Sequence, residues 1–339
     1  MSFPKIFCPK DIGNIVNALR IGTRGSDLAL QQARAVASAI ESGGAPPCEL
    51  RVIRTSGDRL EDRVLSEFGG KGLFVKEIEE ALSGNEIDIA VHSAKDLPTV
   101  VPSGLIVQGY LSREDARDGF VLPSGVTVRK DATALEILEQ FGPAPRIGTS
   151  SVRRIAQLVI RFPSAVFKPI RGNLDTRLRK VDDGEYDIIV LAVAGLRRLG
   201  CEHRLSATFT VGECVPAPGQ GAIAMETRID DTAANESVAR IDDPNTRIAV
   251  TAERALVKTL GGGCQMPIGA YAVVEGSELH LDAVVSSLDG TYAPRFRLSG
   301  VCDEPEILGR AVAERLLEAG AADILEDLRH SQVPETDGS

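Results

Sequence analysis

The feature that most constrains the 339-residue chain is an opening it uses twice. RIGTRGS (Arg20–Ser26) and RIGTSS (Arg146–Ser151) each pass from a short apolar strand through a polar turn to a serine. After the first, Leu28, Ala29, Ala33, Val36, Ala37 and Ile40 recur at helical spacing. Ser26 is placed to cap that helix and Asp27 to complement its dipole. The unit continues with a strand at Leu50–Arg54, a Gly-rich loop at Gly69–Gly72, a helix over Val75–Leu82 and a buried-type strand at Ile87–Val91. After the second opening, a helix starts at Ser150 and Ser151 and reaches Arg161. A strand at Val166–Ile170, a helix at Asp175–Asp183 and a strong strand at Asp187–Ala192 follow. Such alternation predicts an α/β chain with two lobes of parallel-rich, doubly wound sheets. Binding loops then fall at the carboxyl ends of strands, where Arg24, His92, Lys95 and Ser150 are found.

A different pattern begins near Asp242. Thr251–Leu260 is helical, Ala270–Val274 and Leu279–Val285 are strand-like, and Ile307–Ala319 is a closing amphipathic helix, so a smaller α+β domain is expected. The charged link Arg113–Asp118 and the Pro- and Gly-rich segment Val215–Gly221 are candidate crossings between lobes.

Composition is that of an ordinary globular protein, 43% apolar and 25% charged, and no apolar stretch approaches the length of a membrane span. The first nineteen residues lack the apolar core of a secretory signal and the Arg-rich look of a transit peptide; a loosely held extension is expected. A disordered tail is expected from His330 to Ser339. Cys8, Cys48, Cys201, Cys214, Cys264 and Cys302 form no C-x-x-C pair, which argues against a disulfide framework and a structural zinc site and for reduced thiols in the cytoplasm. A net charge of −10 disfavours nucleic acid as a partner. Yet Arg146–Gly200 carries eleven Lys/Arg against five Asp/Glu. A basic middle in an acidic chain suits a small anionic ligand, although a solvated helix face explains the charge equally well.

Several motifs join a polar turn to a helix start. Arg24 and Ser26, then Ser150, Ser151, Arg153 and Arg154, sit where exposed backbone N–H groups, the helix dipole and guanidinium forks favour carboxylates or phosphates. Arg171 and Arg177 in RGNLDTRLRK, and Arg197 and Arg198 in AGLRRLG, add to a cleft able to hold several carboxylates. VHSAKDLP sets Lys95 beside Asp96 at a strand end, either as a solvated turn or as a proton-exchanging carboxylate in a basic cleft. GGKGLFVKE, with Lys71, lacks the spacing of a nucleotide P-loop. GGGCQMPIG puts Cys264 behind three glycines. A lone cysteine is usually a small buried apolar group. On such a loop it is also placed to act as nucleophile or attachment point, and these residues leave both readings open.

Together, RIGTRGS, GGKGLFVKE, IDIAVHSAKDLPT, RIGTSSVRR, IRGNLDTRL, YDIIVLAVAGLRRLG, PAPGQGA and GGGCQMPIGAY resemble, in order, the hydroxymethylbilane synthase (porphobilinogen deaminase) family from about residue 20 to 272. The resemblance implies two lobes like type II periplasmic binding proteins, with domains at 18–113 with 218–240, at 114–217 and at 241–330. It implies a dipyrromethane cofactor in thioether linkage to Cys264. Onto it four porphobilinogen units would be condensed with loss of ammonia, before water releases hydroxymethylbilane. Asp96 would be the catalytic acid/base. Lys95, Ser151, Arg153, Arg154, Arg171, Asp58 and Gln220 would hold the cofactor; Arg24, Ser26, Lys71, Arg171, Arg177 and Arg198 would hold substrate acetate and propionate groups. Each pyrrole brings two carboxylates, so a six-ring chain carries about a dozen, which fits the arginine-rich middle. No metal is implied, and the expected protein is a cytoplasmic monomer. Two departures stand out: Glu67, where some relatives carry a lysine, and Asp27, where many carry proline. Two rival readings are a non-catalytic carboxylate-binding module and a cysteine-nucleophile hydrolase. The first leaves the third domain and the GGGC loop without a role, and the second lacks a nearby histidine.

Overall fold

The computed structural model describes residues 18–56, 75–129, 132–263 and 266–331. β1 (Leu19–Thr23) enters α1 (Asp27–Ser42), whose cap Ser26 accepts from the Ala29 amide at 3.4 Å. β2 (Cys48–Val52), α2 (Lys76–Ser83), β3 (Ile89–Ser93) and β4 (Leu105–Tyr110) follow. β2 starts and ends before the expected Leu50–Arg54, and β3 lies later than Ile87–Val91. Register with β1, which sets Leu19 opposite Cys48 and Gly22 opposite Ala90, fixes these strands, whereas apolar content marks only burial. His92 accordingly falls inside β3, buried, and not in a loop.

The chain crosses into a second lobe of β5 (Asp118–Val121), α3 (Ala134–Glu139), β6 (Arg146–Gly148), α4 (Val152–Leu158), β7 (Val166–Lys168), α5 (Leu174–Asp182), β8 (Ile188–Ala192), α6 (Val193–Arg198) and β9 (Leu205–Thr208). Pro163 lies just beyond α4, which stops short of Arg161. The chain returns as β10 (Ile223–Arg228) and α7 (Thr232–Ala239).

The two sheets run β2-β1-β3-β10-β4 and β7-β6-β8-β5-β9. In each, four strands share one direction, and the strand that follows a crossing, β10 or β5, inserts antiparallel to both neighbours. Helices cover both faces. Val36, Ile40 and Val238 pack on Ile21, Ile89 and Met225, while Ile78 and Leu82 cover the reverse side against Ala90. The second lobe repeats this, with Ile137 and Leu158 on Phe120 and Val190, and Leu178 and Leu196 on Ile189 and Leu191. The expected parallel-rich, doubly wound lobes are therefore present, with one antiparallel strand each.

The third unit is α+β. α8 (Pro244–Thr259) precedes the antiparallel sheet β11 (Ile268–Glu275), β12 (Glu278–Val285) and β13 (Arg295–Val301), and α9 (Pro305–Glu318) and α10 (Ala321–Ser331) close it. α8 begins well before Thr251 because Asp243 caps it, accepting from the Thr246 amide at 2.8 Å, with Pro244 at the first helical position. His330, expected in a disordered tail, belongs to α10.

One buried carboxylate joins the parts. Arg113, just beyond β4, sets its guanidinium 2.6 Å from Glu253 of α8 and donates from Nε to the Gln220 carbonyl at 2.8 Å. Glu253 also accepts from the amides of Gly219 at 2.6 Å and Ala272 at 2.7 Å. Both crossings and the third unit thus meet at one buried ion pair, in which Glu253 is fully enclosed.

Candidate active site

Between the lobes lies a cleft of about 970 Å³, walled by the carboxyl ends of strands from both sheets. On the first lobe, β3 passes into a short 3-10 turn, Ala94–Asp96, and Lys95 and Asp96 line the cleft. The return crossing holds that turn: the Ala94 amide donates to the Ala222 carbonyl at 3.0 Å. Gly219, at φ +73, approaches so closely that a Cβ there would stand 3.0 Å from the Ala94 carbonyl carbon and from the Lys95 nitrogen. Only glycine serves at this contact. Arg24 and Ser26, between β1 and α1, line the neighbouring stretch.

The second lobe supplies most of the positive charge. Ser151 caps α4 by accepting from the Arg154 amide at 3.4 Å, and Asn173 caps α5 by accepting from the Thr176 amide at 2.9 Å. Ser150 ties the two loops together, its hydroxyl donating to the Ile170 carbonyl at 2.8 Å and accepting from the Ile170 amide at 2.9 Å. These caps present Arg154, Arg171 and Arg177 to the cleft, and Arg198 at the end of α6 joins them while donating to the Gly221 carbonyl at 2.6 Å.

Asp118 organises this wall. Its two oxygens stand 2.7 Å from Arg153 Nη2 and from Arg154 Nη2, and Oδ1 also accepts from Gln220 at 2.9 Å. Burial opposes its ionisation, but Arg153 and Arg154 prevail and hold the carboxyl well below the usual range. Burial lowers the Lys95 ammonium, with Asp96 opposing the shift and Arg154 adding to it. Arg177 is lowered to about 10 by burial and by Arg154, against the pull of Asp96. Burial likewise lowers Arg198. The cleft thus gathers Arg24, Arg54, Lys95, Arg154, Arg171, Arg177 and Arg198 against Asp27, Asp96 and Asp175, and is better suited to an acidic ligand than to a neutral one.

Asp96, Lys95, Arg154, Arg171, Gln220, Arg24, Ser26, Arg177 and Arg198 therefore converge as expected on one cleft. Ser151 and Arg153 are not among its lining residues: Ser151 spends its hydroxyl on the α4 cap, and Arg153 is bound to Asp118 and to the Val215 carbonyl at 2.7 Å. Cys264, Asp58 and Lys71 lie outside the described residues, as does Glu67. Sequence reasoning passed over Asp118, Asn173 and Arg54. Asn173 carried a signal, an Asx cap before an amphipathic run.

The donor set fits a covalently held dipyrromethane, a group bearing several carboxylates. Among the described residues, the Nε atoms of Arg153 and Arg154 are buried without a hydrogen-bond partner, and Arg154 borders the cleft. Gly261, at φ +63, follows α8 with its amide donating to the Lys258 carbonyl at 3.1 Å, and among the described residues nothing lies within 4 Å of the Cβ position of Gly263.

Fold and cleft define a two-lobed α/β protein built to hold a polycarboxylate between its lobes. The porphobilinogen deaminase, dipyromethane cofactor binding domain family matches residues 19–236, and the porphobilinogen deaminase, C-terminal domain family matches residues 247–318. The chain is 46% identical over 310 residues to the porphobilinogen deaminase of Desulforudis audaxviator, covering 91% of this chain and 97% of that one. It is 43% identical over 316 residues to that of Pelobacter propionicus, covering 93% and 98%. Among solved structures, the periplasmic VFT2 domain of Bordetella pertussis BvgS aligns with a TM-score of 0.37 at 15% identity, over 66% of this chain and 86% of that one. The chain belongs to the porphobilinogen deaminase family.

Proposed function

We propose that this cleft carries out the porphobilinogen deaminase reaction, the stepwise condensation of four porphobilinogen molecules to hydroxymethylbilane, with Asp96 as its acid/base. The observation that carries the reading is the position of Asp96: the turn after β3 sets it in a cleft lined by Arg24, Arg154, Arg171, Arg177 and Arg198. The dipyrromethane supplies a nucleophilic pyrrole carbon. Cys264 would anchor it, and Lys95, Arg154, Arg171, Gln220 and Asp58 would hold it, with Ser151 and Arg153 supporting that wall from behind. Arg24, Ser26, Lys71, Arg177 and Arg198 would receive the substrate's acetate and propionate groups through charge-assisted bonds.

Asp96 has two tasks. As a carboxylate it stabilises the pyrrole cation left when ammonia departs from the substrate's aminomethyl carbon. It then takes the proton released at the carbon that has formed the new bond and passes it to ammonia. Protonation balances at each addition, since the amine arrives as ammonium and leaves as ammonium.

The three sheets support a division into 18–113 with 218–240, 114–217 and 241–330. A cytoplasmic monomer completes the proposal. Both walls of the cleft come from one chain, and Cys48, Cys201, Cys214 and Cys302 are free thiols. No helix among the described residues is long and apolar enough to cross a membrane. Intact-protein mass tests the anchoring: protein from a tetrapyrrole-producing host should carry a covalent excess of two pyrrole units that is absent from Cys264→Ser. An unmodified mass in the unsubstituted protein would overturn the assignment.

A further inference from the structure

The carboxyl end of β2 forms part of the cleft that the reaction above leaves unused. Val52 and Arg54 both line it. Val52 is 56% exposed, and Arg54 is exposed as well. Arg51, three positions before Arg54 and outside the cleft, is paired with Glu49 at 2.9 Å. The strand end is well fixed, because the Ile53 amide donates to the Thr23 carbonyl at 2.8 Å and Val52 lies opposite Thr23. Arg24 and Arg54 therefore leave adjacent strand ends, with Val52 close to Gly25: a Cβ built on that glycine would stand 3.3 Å from Val52 Cγ1. An apolar side chain flanked by two arginines matches a pyrrole ring with two acidic arms.

Sheet order gives this subsite a place. β2, β1 and β3 are consecutive neighbours, so Arg54, Arg24 and Asp96 follow three successive strand ends. Parallel strands lie about 4.8 Å apart, which sets the Arg54 end roughly 10 Å from the strand that carries Asp96. That places Arg54 two strands from Asp96, a position suited to a ring further along a lengthening chain.

We propose that Val52 and Arg54, beside Arg24, form a distal subsite that holds one pyrrole of the growing product, Val52 against the ring and Arg54 on a carboxylate, and that Val52 and Arg54 are engaged only at the later additions. The inference rests on the deaminase reading of the cleft, and one experiment separates the two. Holoprotein is mixed with one to three equivalents of porphobilinogen, quenched, and its intact-mass distribution is recorded. Unsubstituted protein should show a ladder of added units; absence of any ladder would overturn the deaminase reading itself. In Arg54→Gln, the two-ring mass excess stays complete and the first addition proceeds as in the unsubstituted protein. The later units then enter about tenfold more slowly, as expected for loss of one charge-assisted contact, so that partly extended species accumulate. Arg54→Lys restores most of the lost rate, and Arg51→Gln behaves as the unsubstituted protein does. A normal ladder in Arg54→Gln, or slowing that begins at the first addition, would overturn the subsite.

Discussion

Arg154 borders the cleft with its guanidinium anchored 2.7 Å from the fully buried carboxylate of Asp118. Asp118 carries the same contact to Arg153 on its other oxygen, so one charge beneath the wall balances two guanidinium groups. Asp118→Asn leaves both arginines buried against a neutral partner. The expected loss is about 3–5 kcal/mol, the usual consequence of breaking a buried pair from one side. Urea denaturation followed by a probe in the second lobe checks this; a loss below about 1 kcal/mol would mean that the arginines reach water or another counter-charge.

Because Asp118 is held below its unfolded value, its contribution is present above the ordinary carboxylate range and is lost as acid protonates it. Stability from this cluster should be flat from about pH 5 to 8 and fall only below roughly pH 4. Acid titration of the unsubstituted protein against Asp118→Asn reads the difference directly.

Glu79 behaves in the opposite sense. Burial, with Glu226 adding to it, raises its carboxyl to about 7. A raised acid favours folding below its unfolded value and loses that contribution as pH climbs through the folded one. Glu79→Gln should therefore match the unsubstituted protein near pH 4 and exceed it in urea midpoint at pH 8. Equal midpoints at pH 8 would show that the carboxyl is solvated.

Gly219→Ala tests the support of the Ala94–Asp96 turn. A left-handed alanine costs roughly 1–2 kcal/mol, and its Cβ would press on the Ala94–Lys95 peptide. A shift of that peptide moves Asp96, so kcat should fall on the order of 10- to 100-fold. Stability should change by only the backbone cost, and unchanged kcat would detach the crossing from the turn.

Much of this was legible in the sequence because it is local. The cap at Ser26, the alternation of strand and helix, and the placing of Asp96 and Arg24 at strand ends all follow from neighbours within a few residues. What escaped is what distant residues decide. Asp118 looked like part of a charged link, because its partners Arg153, Arg154 and Gln220 are remote in the chain; compensated by them, it opens a buried strand. β10 was missed for a related reason: GAIAMETR gives no helix- or strand-specific period, and it becomes a strand through pairing with β3 and β4. Arg153 carried the same motif signal as Arg154. Only packing distinguishes the arginine beneath the wall from the one that borders it.

The most direct test of the central claim is Asp96→Asn, read by intact mass and by ammonia release from porphobilinogen. The substitution removes the carboxylate proposed as acid/base while leaving Arg24, Arg154, Arg171, Arg177 and Arg198 in the cleft. The two-ring mass excess should therefore persist while ammonia release falls by about 10²- to 10⁴-fold, the range expected for a lost acid/base group. Retained mass with near-normal ammonia release would contradict the role of Asp96.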